Sequence, residues 1–201
     1  MNTLLQEGIE FVLPGIYKAY PRTWAEDLLH SGRIYFTNIK IFRAAEDSQR
    51  GDPLECTSIT MRQGVRCTVD YTNPIFVWCS TMETDLTLIR GKWKDRDTIL
   101  QITDTLDLAR RIRDAANRLK PKIHLLQLGP VTYDKDEGSY REYHWAQGVF
   151  QKNLRFSDQK EFRFALVGDF SILDDENVIL ELGNCGDIVR IVEGQSIRAG
   201  N

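Results

Sequence analysis

Hydrophobic and polar positions alternate in short runs along most of this chain, with helical spacing confined to two stretches. Ile16–Tyr20 reads as a short β segment, and Pro21 follows where the first turn of a helix tolerates a missing N–H. Trp24, Ala25, Leu28 and Leu29 then repeat at helical spacing, and Ser31-Gly32 closes the pattern with a residue suited to a left-handed cap. Residues 33–39 return to a period of two, placing Ile34 and Phe36 on one face of a strand and Tyr35 and Thr37 on the other.

A polar stretch, FRAAEDSQRGDPLECT, interrupts this pattern and carries Glu46, Asp47, Asp52 and Glu55 among Arg43 and Arg50. Beyond it, 56–63 and 65–71 predict a hairpin across Gln63-Gly64, and the apolar run at 74–80 predicts a central strand. The spacing of Ile99, Ile102, Leu106, Leu108, Ala109, Ile112, Ala115, Ala116 and Leu119 predicts one amphipathic helix over 98–119, broken near Asp104. Further strands are predicted at 123–128 and 131–133, split by Gly129-Pro130, and at 161–167 and 178–182, with a charged loop over 134–142. The last part, GNCGDIVRIVEG, reads as a turn with a short final element. No repeat, low-complexity run or linker divides the chain, so one α+β domain over 1–201 is expected.

Composition narrows the classes. The 201 residues are 42% hydrophobic and 10% aromatic, enough for a sizeable core. A net charge of −3 argues against a nucleic-acid coat or a polybasic membrane anchor. Cys56, Cys67, Cys79 and Cys185 form no CxxC pair, which disfavours a zinc knuckle or a dithiol redox site and suggests buried, reduced thiols. His30, His124 and His144 share no ligand-like spacing, so no metal site is expected of them. The N-terminus does not read as a signal peptide, and no stretch approaches the roughly 20 apolar residues of a membrane span. A soluble, cytoplasmic protein without a membrane partner is the expectation.

Two segments suggest chemistry: the acidic stretch at 46–55, and FSDQKEFRF at 156–164. In the second, Glu161, Arg163 and Ala165 alternate with Phe162, Phe164 and Leu166, so Gln159, Glu161 and Arg163 are expected on one face of a strand. That sets an amide and a carboxylate side by side.

IYKAY, PRTWAEDLLHSG, RIYFTN and DQKEF, in this order, resemble the ADP-ribosyltransferase fold. In that family a first strand carries a residue that grips NAD, a helix leads to an aromatic-aromatic-Ser/Thr strand, and a late strand begins with Gln-x-Glu or Glu-x-Glu. The resemblance implies a mixed, mostly antiparallel split sheet flanked by helices, with NAD as substrate. It makes Glu161 the catalytic carboxylate, bonded to a ribose hydroxyl, and Gln159 the residue that orients an acceptor, a protein or a nucleic acid. Tyr17 belongs to the cofactor-binding strand, Tyr35 or Phe36 packs against nicotinamide, and Thr37 takes the hydroxyl position. Lys18 and Arg22 compete for the phosphates. The first strand offers Tyr17, Lys18 and Tyr20 where the family usually has Arg or His, and Phe-Thr-Asn replaces Ser-Thr-Ser. A toxin or a phage defence effector would fit this activity. IYFTNIKIFRAAEDSQRGDPLE and QKEFRF are also similar to a large bacterial family of uncharacterised proteins with a late Glu-x-Glu-x-Arg strand, a likeness that assigns no activity.

The implied chemistry is coherent, since cleavage between nicotinamide and ribose passes through an oxocarbenium-like state that a fixed negative group stabilises. Other readings stay open. Glu161 and Arg163 can form an ion pair on a solvated sheet surface, and EDSQRGD can simply be turn chemistry. Tyr35, Phe36 and Trp78 can be core residues, and Arg110, Arg111, Arg113 and Arg118 the wet face of a helix. A rival enzyme would use Glu46, Asp47, Asp52 and Glu55 with Glu161 to bind a divalent cation for nuclease or phosphodiesterase chemistry. A non-catalytic inhibitor would use the acidic stretch to engage a basic partner.

Overall fold

The computed structural model describes residues 3–6, 9–44, 57–62, 65–70, 72–120, 122–133 and 148–192. The strands run in chain order as β1 (Thr3–Gln6), β2 (Ile9–Val12), β3 (Ile16–Tyr20), β4 (Arg33–Asn38), β5 (Thr57–Arg62) and β6 (Val65–Asp70). They continue as β7 (Ile75–Thr81), β8 (Thr98–Ile102), β9 (Ile123–Pro130), β10 (Glu161–Gly168), β11 (Asn177–Glu181) and β12 (Val189–Val192). The α-helices are α1 (Arg22–Glu26), α2 (Ile39–Ala44), α3 (Leu86–Lys92) and α4 (Thr105–Arg118). Together they make a single α+β domain with a mostly antiparallel open sheet and flanking helices.

The centre of the eight-stranded sheet is β7, whose sequence IFVWCST offers no polar stripe to water and is buried along its length except at the half-buried Cys79. One edge of β7 is paired along its whole length, from Glu161 opposite Thr81 to Val167 opposite Ile75 on β10, with β9 beyond. The other edge is shared. There β4 meets β7 only at Thr37↔Val77 and Asn38↔Phe76, and β3 meets it only at Tyr17↔Thr81. From this point the sheet runs in two directions, β4 to β11 and β3 through β8 to β12.

The main core lies on the face carrying Phe36, Phe76, Trp78, Phe162 and Phe164, with Leu108, Ile112 and Ala115 of α4 packed over it. Trp78 and Phe162 each meet Phe164 edge-on with centroids 5.6 Å apart, a favoured aromatic geometry. A smaller cluster of Ile39, Ile75, Val77, Val149 and Ala165 covers part of the opposite face.

Several sequence expectations are met closely: β3, β4, β7, the β5–β6 hairpin and the start of β10. The predicted helix over 98–119 is corrected. Its first five residues form β8, which pairs with β3 and β12, and Asp104 breaks the pattern by capping α4 through the Asp107 N–H at 2.9 Å. The strand expected to reach Ile39 ends at Asn38, whose side chain accepts from the Lys40 N–H and begins α2. β9 runs through Gly129 and ends at Pro130, which its unpaired outer edge tolerates, and the second strand expected at 131–133 does not form, leaving only an isolated bridge between Thr132 and Gln151. After α1 the chain loosens into a π turn, Asp27–Ser31, before Gly32 closes it. Among the described residues no helix is long and apolar enough to cross a membrane. The acidic stretch at 46–55 and the charged stretch at 134–142 lie outside the described residues.

Gly32 closes the turn into β4 with φ of 66°, and a Cβ there would collide with the backbone of Gly183. Gly32→Ala is therefore expected to destabilise the domain by more than the roughly 1–2 kcal/mol of left-handed strain alone. Gly15→Ala, with open space around its Cβ, is expected to stay within about 0.5 kcal/mol of the parent. Urea unfolding of the two variants checks this contrast.

Candidate functional site

A cleft opens where β3 and β4 part. The Met82 N–H bonds to the Lys160 carbonyl and the Gly168 N–H to the Pro74 carbonyl, so even-numbered backbone groups of β7 point toward β10. The odd-numbered groups face the split. Val77 lies opposite β4 and Thr81 opposite β3, but Cys79 between them has no strand across from it. A buried carbonyl in that position needs a donor, and the Lys18 ammonium supplies one to the Cys79 oxygen. The same ammonium lies 4.9 Å above the Tyr20 ring and 5.4 Å above the Trp78 ring.

The cleft has a volume of about 430 Å³, within the range of small-molecule sites. It brings together Tyr17 and Lys18 of β3, Tyr35 and Thr37 of β4, Gln159 just before β10 and Glu161 at its start. It does not include Phe36 or Arg22. Phe36 is fully buried in the main core, because alternation along β4 turns it away from Tyr35 and Thr37. The exposed Arg22 lies on α1, where its Nε bonds to Glu26 Oε1 one turn on at 2.6 Å. Of these four candidates, Tyr35 and Lys18 line the cleft and Phe36 and Arg22 do not.

One wall is aromatic. Tyr35 stacks on Trp24 at 5.3 Å with an interplanar angle of 18°, and Trp24 meets Tyr20 edge-on at 5.8 Å. Arg96 lies 6.0 Å from the Trp24 ring. Tyr17 is held by the Gln101 amide, which donates to its hydroxyl at 3.0 Å. Thr37 donates to Asn177 Oδ1 at 3.0 Å, tying β4 to β11.

The opposite wall is ionic. Glu161 Oε1 accepts from Lys152 Nζ at 2.8 Å and Oε2 from Arg163 Nε at 2.7 Å, while its backbone N–H donates to the Tyr133 hydroxyl. Lys152 also donates to Gln159 Oε1 at 3.0 Å, and Arg163 Nη1 to the Val149 carbonyl at 2.6 Å. Glu161 and Arg163 are 7% and 2% exposed, so the alternative of an ion pair on a solvated surface does not hold. Gln159 is not on the strand, as the alternation suggested. It ends a 3₁₀ turn, Leu154–Gln159, and Lys160 at φ 45° turns the chain so that both side chains still reach the cleft.

Burial pushes the Glu161 carboxyl up, but Arg163 and Lys152 outweigh it and hold the group well below the usual carboxylate range. Burial pushes the Cys79 thiol up, so it stays protonated at neutral pH and is a poor nucleophile. Beside the cleft, Glu83 accepts from Lys160 at 2.7 Å and from the N–H groups of Thr84 and Asp85, which lower its carboxyl to about 2. This anchors the Lys160 turn to the chain leaving β7.

Sequence reading passed over Lys152, Glu83, Arg96 and Trp93, and saw Trp24 only as a helical apolar position. Lys152 sits in QKN, which has no periodic or motif signal; only its neighbours in space reveal it. Among the described residues no three His, Cys, Asp or Glu come together as a metal-binding group, and Glu46, Asp47, Asp52 and Glu55 lie outside them.

An unfolded glutamate takes its proton near pH 4.3, whereas folded Glu161 holds its charge to lower pH. Its contribution to stability is therefore complete above about pH 5 and lost as pH falls toward the folded value. Glu161→Gln is expected to cost about 3–5 kcal/mol at neutral pH, since two buried cations lose their carboxylate. It should also flatten the acid limb of unfolding free energy against pH, measured by urea titration from pH 7 to 3. An unchanged acid limb would contradict the ion-pair account. No family model, curated protein or solved structure matches this chain, so the chemistry is read from the cleft.

Proposed function

We propose that the cleft binds NAD and that the protein transfers its ADP-ribose to an acceptor. The observation that carries this reading is the sheet split, which gathers a late-strand carboxylate, an amide, a threonine and an aromatic wall into one hollow of suitable size. Tyr35, backed by Trp24, offers a rigid ring face to the cationic nicotinamide. Lys18 stands at the base of the split, where a phosphate oxygen would meet a cation. The nicotinamide–ribose bond breaks with its electron pair leaving on nicotinamide, and the acceptor's nucleophile then bonds to the ribose carbon and gives its proton to solvent.

The low pKa limits the part Glu161 plays. At neutral pH it is too weak a base to remove the acceptor's proton. A carboxylate has about four lone-pair positions, so the two ion pairs leave Glu161 able to accept a ribose hydroxyl. Its role is to fix the ribose and stabilise the developing cation, with Gln159 turned to the acceptor.

A second reading, nucleotide binding without bond cleavage, is favoured by the two cations that already neutralise Glu161. Calorimetric titration with NAD and chromatographic detection of nicotinamide separate the two. Transfer predicts binding with nicotinamide release, and both lost or reduced in Tyr35→Ala, with affinity falling about tenfold, or about 1.4 kcal/mol. Binding without release selects the second reading. No binding at millimolar NAD overturns both.

A further inference from the structure

We propose that Lys152 is a positioning residue, whose ammonium clamps the Gln159 amide and the Glu161 carboxylate into one fixed pair at the cleft. Lys152 is 3% exposed, and a buried ammonium is costly unless its hydrogen bonds are met in place. It bonds to Gln159 Oε1 at 3.0 Å and Glu161 Oε1 at 2.8 Å, with the Phe156 ring 4.9 Å away.

The two side chains belong to different elements, and the backbone bonds that tie Lys160 and Glu161 to β7 fix the path of the chain but not how the amide and the carboxylate face each other. Gln159 ends a 3₁₀ turn, Glu161 begins β10, and Lys160 between them is left-handed. Arg163 holds only the other oxygen, Oε2, and is itself anchored to the Val149 carbonyl. One contact to Oε2 leaves the carboxylate free to rotate about that bond; a second contact to Oε1 fixes its plane.

Chemistry also fixes the amide. An ammonium can only donate, so Gln159 must turn its oxygen to Lys152 and its NH₂ away from it. The effect on nicotinamide release tested below rests on the transferase reading; the clamp does not.

The test compares Lys152→Met and Lys152→Arg with the parent in two measurements. The first is the carboxyl ¹³C titration of Glu161, assigned with Glu161→Gln. Lys152→Met is expected to move its midpoint up by about 1–3 pH units, and Lys152→Arg to keep it low. The second is nicotinamide release, where Lys152→Met should lower kcat by about 10²-fold with KM for NAD unchanged, and Lys152→Arg should recover most of it. An unmoved midpoint in Lys152→Met overturns the clamp, as does a loss confined to KM. If the parent releases no nicotinamide, the transferase reading falls while the titration still decides the clamp. Should Lys152→Met fail to fold, Lys152→Gln keeps a donor without the charge and must show the same upward shift.

Discussion

The structure depends on how strand β7 shares one of its edges. An apolar strand at the centre of a sheet normally has a full neighbour on each side, because each unpaired backbone group buried away from water costs free energy. Here β4 takes the Val77 end and β3 the Thr81 end, and the two diverge between them. The cost falls on the Cys79 carbonyl, and the Lys18 ammonium offsets it from within the gap. The split is thus a cleft with a cation and aromatic rings built into its base.

The ionic wall follows from the same register. Antiparallel pairing sets Glu161 opposite Thr81 and Arg163 opposite Cys79, so β10 must present both charged side chains on the face where the sheet opens. Neither would be stable there alone. Lys152 completes the arrangement from a separate stretch of chain, and the carboxylate is left charged and bonded on both oxygens. A group in that state is suited to orienting and to electrostatic stabilisation more than to proton transfer.

The two walls differ in chemical type. Tyr35 and Trp24 form a preassembled ring face, and Glu161 with Gln159 forms a preassembled polar pair. Such rigidity lowers the entropy cost of binding. It also explains why the supporting residues, Lys152, Glu83 and Tyr133, are buried or half-buried around the turn that starts β10.

Local pattern alone determined the strand, helix and strand over 16–38, the central apolar strand, and the alternation that separates Glu161 and Arg163 from Phe162 and Phe164, but not the β1–β2 pair before them. Period is a property of neighbouring residues, so it can be read without the fold. It also held the answer for Phe36, which shares a face with Ile34 in the core and not with Tyr35 in the cleft. Where tertiary pairing overrode period, the sequence misled: Thr98–Ile102 has apolar spacing compatible with a helix, and becomes β8 because β3 and β12 need a partner between them. Lys152 and Glu83 were invisible for a related reason. Their meaning lies in contacts with Glu161 and Lys160, which are remote in sequence or belong to other elements, and a burial cost met by such partners exists only once the chain has closed around them.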